Sequence, residues 1–332
     1  MILVTGGAGY IGSHTCIELA RAGHEFVVLD NFSNSTPAVL ARMEQIIGRP
    51  VRWHEGDIRD AAALDRIFSE LPISAVLHFA GLKAVTESIN LPIEYFDNNV
   101  HGSVCLLGAM QRAGCKMLVF SSSAAVYGLE QAMPVAEGAA CVTTNPYART
   151  KLVVEELLQD VRLSDPAWRI ATLRYFNPAG AHTSGLIGES PRGAPSNLMP
   201  LVAQVAAGLR SVVQIFGSDY PSPDGTGVRD FVHVMDLAEG HLAALNFLSR
   251  NQNSFLVNLG TGRGATVLEV INAFERASGR RIPYEMAARR VGDIGISFAD
   301  TNLARELLGW VATRNIDDMC RDAWRWQCAH LH

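Results

Sequence analysis

Short apolar runs alternate with longer stretches of helical period through the first half of the chain. Ile2–Thr5, Phe26–Leu29, Val51–His54, Ala75–Phe79, Met117–Ser121 and Ile170–Arg174 read as strands. Helices are predicted between them near residues 11–22, 36–47, 60–70, 91–113 and 147–163. Strands that alternate with helices require parallel pairing through right-handed crossovers, which predicts an α/β fold with a doubly wound parallel sheet. After about Asn177 the rhythm changes. Gly/Pro/Ser-rich stretches at 178–196 and 217–227 read as loops around a short helix near 197–208. Further helices fit 233–249, 266–278, 301–308 and 315–330.

The glycine-rich turn Gly6-Gly7-Ala8-Gly9-Tyr10-Ile11-Gly12 sharpens this picture, because it follows the first strand and opens the first helix. Gly6 permits a tight turn, Gly9 lets the backbone approach a pyrophosphate, and Gly12 lets the helix sit close on the sheet. Free N–H groups and the positive helix end then favour an anion there. Asp30 closes the second strand, 18 positions after Gly12. Its carboxylate suits the ribose hydroxyls of adenosine and repels a 2′-phosphate, which favours NAD over NADP. Gly6, Gly9, Tyr10, Ile11, Gly12, Asp30 and Asn31 are the candidate cofactor residues of this segment. Asp57, after the third strand, is either a helix N-cap or an adenine contact.

The expected organisation is a Rossmann-type NAD-binding domain over 1–177 and a smaller C-terminal α/β substrate-binding domain over 178–332. Some segments of the second are expected to pack back on the first, around one cleft.

A second motif lies about 140 residues downstream. Tyr147 and Lys151 are one helical turn apart and share a helix face, and the serine run Ser121-Ser122-Ser123 ends the fifth strand. A phenol with a pKa near 10 is a poor base at neutral pH, and lowering it by ~3 units takes ~4 kcal/mol of preference for the phenolate. A neighbouring ammonium and a positive nicotinamide ring are suitable sources. Ser123, at the carboxyl edge of the sheet, can hydrogen-bond both a substrate oxygen and the phenolate. Ser123, Tyr147 and Lys151 are therefore the candidate catalytic residues, for redox chemistry at a carbinol carbon.

Composition removes several alternatives. A net charge of −5 over 332 residues leaves no broad basic surface, so nucleic acid is not an expected partner. The six cysteines show neither a C-x-x-C pair nor zinc spacing, so free thiols in a reducing cytoplasm are expected. No signal peptide or membrane span is visible, and no metal site is expected. His14, His78 and His233 read as structural.

The chain resembles the extended short-chain dehydrogenase/reductase family, and within it the nucleotide-sugar 4-epimerases. The likeness is carried by VTGGAGYIGSH at 4–14, FAGLKAV at 79–85, FSSSAAVYG at 120–128, NPYARTK at 145–151, LRYFNPAGAH at 173–182, NLMP at 197–200 and DGTGVRDFVHVMDLA at 224–238. It implies reversible 4-epimerisation of UDP-glucose and UDP-galactose with tightly bound NAD. In that reaction Tyr147 takes the proton of the 4-hydroxyl, hydride leaves C4, and the flat 4-keto sugar turns over before hydride returns. The same likeness implies that Asp57, Ile58, Phe79, Ala80, Gly81, Lys83, Asn98 and Phe176 line the cofactor. Arg229 and Arg290 are implied to grip the substrate diphosphate, for which bidentate arginine is suited. Asn177, Asn197 and Leu198 are implied around sugar and diphosphate, and Asp293 at the uridine ribose. Ser297 stands where glucose/galactose-restricted relatives tend to carry a tyrosine, which implies that N-acetylated UDP-sugars also fit. Helices at positions like 91–113 and 147–163 form a dimeric four-helix bundle in the family, so a homodimer is implied.

A nucleotide-sugar 4,6-dehydratase starts with the same oxidation but carries an Asp-Glu pair directly after the hydroxyl residue; here Ala124-Ala125 follow Ser123. A non-catalytic NAD sensor would not need the complete set of Ser123, Tyr147 and Lys151.

Overall fold

A computed structural model of the chain describes residues 1–128, 131–193, 195, 197–290 and 293–330. Its centre is a seven-stranded sheet. The strands are β1 (Ile2–Thr5), β2 (Phe26–Asp30), β3 (Arg52–Glu55), β4 (Ala75–His78), β5 (Met117–Ser123) and β6 (Arg169–Tyr175). Small strands β7 (Asn177–Ala179), β8 (Val213–Phe216), β9 (Val228–Arg229) and β10 (Phe231–His233) lie outside it. The seventh member is β11 (Phe255–Leu259), and the small strands β12 (Ala265–Thr266), β13 (Tyr284–Ala287) and β14 (Ile296–Ser297) follow.

The order across the large sheet is β11-β6-β5-β4-β1-β2-β3, and every pair is parallel. The order therefore reverses at β1, whose neighbours are β2 and β4. A crevice at the carboxyl ends of strands forms at such a switch point.

Helices cover both faces, as purely parallel sheets require. Val4, Val28, Leu77, Val119 and Ala171 pack against α1 (Tyr10–Arg21) and α2 (Ala38–Ile47) on one face. Their strand neighbours Leu3, Val27, Val76, Leu118 and Ile170 point the other way, into α3 (Ala61–Glu70). After α4 (Val85–Asn90) and α5 (Pro92–Phe96), α6 (Gly102–Arg112) and α7 (Pro146–Ser164) complete that second face. The period of two divides one run of buried residues between the two faces of the sheet. A second, separate core lies between α8 (Leu198–Ala206), α10 (Val267–Ser278) and α12 (Ile316–Ala329), with Val213 and Ile215 of β8. Between these, α9 (Val234–Arg250) and α11 (Asn302–Leu308) return to the face of α1, and Leu237, Leu245, Leu248 and Ala304 join its core.

Two differences from the sequence expectation bear most on the site. The helix expected over 91–113 is divided: Pro92 opens α5, and a π-helical turn at Asp97–His101 separates α5 from α6. Pro92 has no N–H with which to continue a preceding helix, and Asn99 in the wide turn spends its side chain on the backbone of Leu82. The other is β11, a fully parallel partner of β6 that was not expected. Its apolar run is short and interrupted by Asn258, which is completely buried.

Candidate active site

The cofactor candidates come from six places in the sequence and meet at the carboxyl edge of one sheet. Gly6 follows β1 with φ +68°, and a Cβ on it would fall 2.6 Å from the amide nitrogen of Ala80. The glycine turn is thereby pressed against the Phe79-Ala80-Gly81 segment after β4. A Cβ on Gly12 would fall 2.4 Å from the carbonyl oxygen of Gly6, so only glycine lets α1 start so close to the turn. No side chain caps α1 at Gly9, which leaves its first N–H groups to an anion. Ile11 packs on the core beneath, and the Tyr10 hydroxyl donates to the carbonyl of Gly180 at 2.6 Å.

Asp30 is buried, and three donors fix its carboxylate: the amides of Ala8 and Phe32 and the hydroxyl of Ser35, each at 2.9 Å. Asn31 reaches Asp57 at 3.0 Å. Asp57 pairs with Arg59, whose hydrogen bonds hold the carboxyl well below the usual carboxylate range. It does not cap a helix. Asp60 does that for α3, through the amide of Ala63. Ile58 is buried against Gly102 at the start of α6, and Asn98 lies in the π-helical turn beside Asn99. Phe79 stacks on His241 with ring centres 4.6 Å apart, and Phe176 follows β6 in a small core with Tyr127 and Ala299. The glycine cradle, the uncapped helix end and the buried carboxylate after β2 fit a dinucleotide.

The candidate catalytic residues reach the same edge from α7 and β5. Asn145 caps α7 through the amide of Ala148, and Pro146 occupies its first turn, where a missing N–H costs nothing. Tyr147, Lys151 and Glu155 follow at helical spacing. The Lys151 ammonium donates to the carbonyl of Ser121 at 2.7 Å and lies 5.0 Å from the centre of the Phe120 ring. A Cβ on Gly81 would sit 3.6 Å from that ammonium, which puts the lysine beside the cofactor segment. Burial lowers the Lys151 pKa to about 8, with Glu155 opposing.

Burial raises the Tyr147 phenol above its ordinary value, and a hydrogen bond with Ser123 works against that. The lowered phenol expected from the sequence is therefore not produced by these side chains alone, because the desolvation of a buried phenolate outweighs them. Ala124-Ala125 open a short 3-10 turn after Ser123 and offer no acid.

The substrate candidates form two groups. Arg229 pairs with Asp293 at 2.7 Å, and Ser297 lies opposite Arg229 in the register of β9 and β14. The Arg290 guanidinium carbon stands 3.7 Å from the centre of the Phe216 ring, and the Arg290 carbonyl accepts from the amide of Asp293. Asn177 is tied to this group through its amide, which donates to the Asp230 carbonyl. Asn197 and Leu198 stand apart, at the start of α8, where the Asn197 side chain donates to Glu189 at 2.7 Å. Lys83 pairs with the same Glu189 oxygen at 2.7 Å.

Four residues escape the sequence reading. Thr150 is fully buried and joins the Tyr147 carbonyl to Asn99. Asp230 is fully buried and accepts from Thr261, Gly262 and Ala299. An acid directly before the apolar pair Phe231-Val232 was its available signal. Phe216 and Glu189 had none, since one lies in a short strand and the other in a Gly/Pro/Ser loop. His14, His78 and His233 are buried and serve structure: His78 bridges Thr5 and Ser103, and His233 caps α9 through the amide of Met235. Burial holds His14 and His78 neutral, with pKa values of about 3. Among the described residues no group of three or more His, Cys, Asp or Glu is placed to hold a metal ion, and no helix is long and apolar enough to cross a membrane.

Comparison with known proteins gives the family and its fold. The model of the NAD dependent epimerase/dehydratase family matches residues 2–260. A UDP-glucose 4-epimerase of Bacillus subtilis (strain 168) is 52% identical over 331 residues, covering 100% of this chain and 98% of that protein. The crystal structure of a UDP-glucose-4-epimerase from Stenotrophomonas maltophila with bound NAD and formylated UDP-arabinopyranose is 55% identical. It superposes with a TM-score of 0.97 over 99% of this chain and 98% of the other. A UDP-glucose 4-epimerase from Bifidobacterium longum, in complex with NAD+ and UDP, is 50% identical with a TM-score of 0.96, over 99% and 98% of the two chains.

Proposed function

The chain belongs to the NAD dependent epimerase/dehydratase family, and from that premise we propose that it interconverts UDP-glucose and UDP-galactose by reversible 4-epimerisation. The observation that carries this reading is the meeting of Ser123, Tyr147 and Lys151 at the sheet edge, beside the glycine segment that fits the dinucleotide. NAD, when bound, supplies a two-electron acceptor that is restored within the same turnover. Tyr147 accepts the proton of the sugar 4-hydroxyl and later returns it. Ser123 orients that hydroxyl and hydrogen-bonds the phenolate. Lys151 brings a buried ammonium, already held against Ser121, to the same place. With Ala124-Ala125 after Ser123 there is no acid to eliminate water, so the 4-keto sugar has only one exit: reduction back to an alcohol.

Asp30 and the glycine turn hold the adenosine and pyrophosphate ends of NAD, with Asn31, Asp57 and Ile58 around the adenine. Phe79, Ala80, Gly81, Lys83, Asn98 and Phe176 line the rest. Arg229 and Arg290 grip the UDP diphosphate, Asp293 the uridine ribose, and Asn177, Asn197 and Leu198 the sugar and its phosphates. Ser297 leaves room for an N-acetyl group at C2. In this reading residues 1–177 serve the cofactor and 178–332 the substrate. The protein acts in the cytoplasm, which suits its six free thiols. It works as a homodimer joined through α4 to α7, where Ile89, Ile93, Val104 and Leu163 are exposed apolar side chains.

The test is direct. Purified protein is mixed with UDP-galactose, without added NAD, and UDP-glucose is measured. Conversion is expected; its absence from protein that retains NAD overturns the reaction assigned here.

A further inference from the structure

One carboxylate oxygen in the loop before α8 serves both sides of the cleft. Glu189 Oε1 accepts from the Lys83 ammonium and from the Asn197 side-chain amide, each at 2.7 Å. Lys83 comes from the cofactor segment after β4, and Asn197 from the start of α8 in the second core. The Glu189 side chain is itself almost buried, at 9% exposure, whereas Lys83 is 42% exposed, so the acid is the fixed member of the pair.

The backbone of Glu189 is also fixed. Its carbonyl accepts from the Trp326 indole, and Gly188 is pressed so closely on that ring that a Cβ would fall 2.5 Å from it. With Tyr10, Gly180 and Trp326, Glu189 lines a cavity of about 200 Å³.

Asn197 explains why such an anchor is needed. It occupies the N-cap of α8, where an asparagine normally accepts from the amide at the second or third helical position. The third position here is Pro200, which has no N–H, and the Asn197 side chain makes no capping bond. No cap bond to Asn197 Oδ1 fixes the side chain, so the bond that its Nδ2 donates to Glu189 is what holds it.

We propose that Glu189 is a positioning residue that couples the two nucleotide sites, holding Lys83 for the cofactor and Asn197 for the substrate on one oxygen. This rests on the reading of Lys83 as a cofactor contact and Asn197 as a substrate contact. Two consequences separate the halves of the role. The charge of Glu189 holds Lys83, whereas its acceptor oxygen holds Asn197. Glu189→Ala loses both, and Glu189→Gln keeps an acceptor while losing the ion pair.

The experiment measures three quantities on holoenzyme and both variants: NAD retained after gel filtration, UDP affinity by calorimetry, and KM and kcat for UDP-galactose. Glu189→Ala is expected to weaken UDP binding and raise KM about tenfold, the scale of one hydrogen bond to a charged group, and to lose NAD on the column. Its kcat with added NAD should stay within about threefold. Glu189→Gln is expected to recover UDP affinity while still losing NAD. Unchanged affinity and NAD content in Glu189→Ala would overturn the coupling, as would both variants failing equally together with their melting temperatures. UDP affinity and NAD retention need no turnover. A wild type that binds both but does not epimerise would therefore refute the reaction, and the two variants would still decide the coupling.

Discussion

The sheet edge and the loops of the second core hold their polar groups by different means. At the edge, main chain does most of the fixing: Asp30 by two amides beside the Ser35 hydroxyl, Lys151 by the Ser121 carbonyl, and Asn99 by both backbone groups of Leu82. Ser121 belongs to β5, and Ala8, Phe32 and Leu82 lie in the turns that directly follow β1, β2 and β4. In the second region the candidate ligand groups are held by other side chains. Arg229 rests on Asp293, Arg290 on Phe216, and Asn197 on Glu189. Contacts of the first kind survive the loss of a ligand unchanged. The two arginine contacts are side-chain pairs at partly exposed positions, of little net worth each, and a diphosphate can replace them, whereas Glu189, at 9% exposure, keeps its hold on Asn197. The contrast matches a cofactor that stays and a nucleotide sugar that must enter and leave at every turnover.

The contrast breaks first, and by the largest factor, at Tyr147. Only its phenolic oxygen can take the 4-hydroxyl proton, while the ring packs. Tyr147→Phe is expected to lower kcat by at least ~10²-fold, the usual scale for an acid–base group, with NAD content and melting temperature kept. Turnover near wild type would remove Tyr147 as the base.

Lys151→Ala comes next, and its signature is in pH. The buried ammonium has a pKa of about 8, so it is charged at neutral pH and loses that charge as pH rises through this value. Burial raises the phenol of Tyr147, which without a nearby cation ionises only in alkaline solution. The variant should lose at least ~10-fold in kcat at pH 7 and recover part of it as pH rises. A kcat profile from pH 6 to 10 with unchanged shape and height would show that the ammonium takes no part.

The same contrast governs what could be read from the sequence. Buried parallel strands announce themselves as apolar runs, and the glycine turn as a strand-to-helix junction, so six strands of the large sheet were expected within one or two residues. The edge candidates follow, because residues at strand ends must share that edge. The seventh strand, β11, escaped because buried Asn258 interrupts it; its side chain is spent on the Tyr127 hydroxyl and the Val135 carbonyl, which no local pattern reveals. The division of the helix over 91–113 escaped because Asn99 is answered from Leu82 and Thr150, far away in sequence. In the second region β9, β12 and β14 have two residues each, too few for any period. There Arg229, Asp293 and Ser297 were reached only through resemblance. The opposing effect of burial on Tyr147 escaped for a related reason: burial is a property of the whole fold, while the Tyr147–Lys151 spacing is local.

A mutation in the second region should act on affinity rather than on chemistry. Arg229→Met is expected to raise KM for UDP-galactose about 10- to 100-fold, corresponding to the ~1.5–3 kcal/mol of a charged hydrogen bond. Its kcat at saturation should change by less than about threefold, and NAD should remain bound. Equal losses in kcat and kcat/KM would place Arg229 in the transition state instead and erase the distinction between the two regions.

The smallest effect, and the most selective, is expected at Ser297. It stands opposite Arg229 across the β9–β14 pair and is half-buried, so a side chain there shares the face of the arginine proposed to grip the diphosphate. A tyrosine at this position would add an aromatic ring on that face, whereas serine leaves the volume free. The obstacle to a C2 N-acetyl group is steric overlap, and overpacking a fitted site typically costs ~1–3 kcal/mol. Wild type is therefore expected to interconvert UDP-GlcNAc and UDP-GalNAc as well as UDP-glucose and UDP-galactose. Ser297→Tyr should lower kcat/KM for the acetylated pair about 10- to 100-fold, while kcat/KM for UDP-galactose moves by less than about threefold. Ser297 lies in β14, outside the large sheet, so NAD content should be the same in both proteins. The assay compares the two substrate pairs in both proteins. A wild type blind to the acetylated sugars would mean that neighbouring side chains already fill the space opposite Arg229, and a tyrosine variant that slows all four sugars alike would mean that Ser297 positions the arginine rather than the sugar.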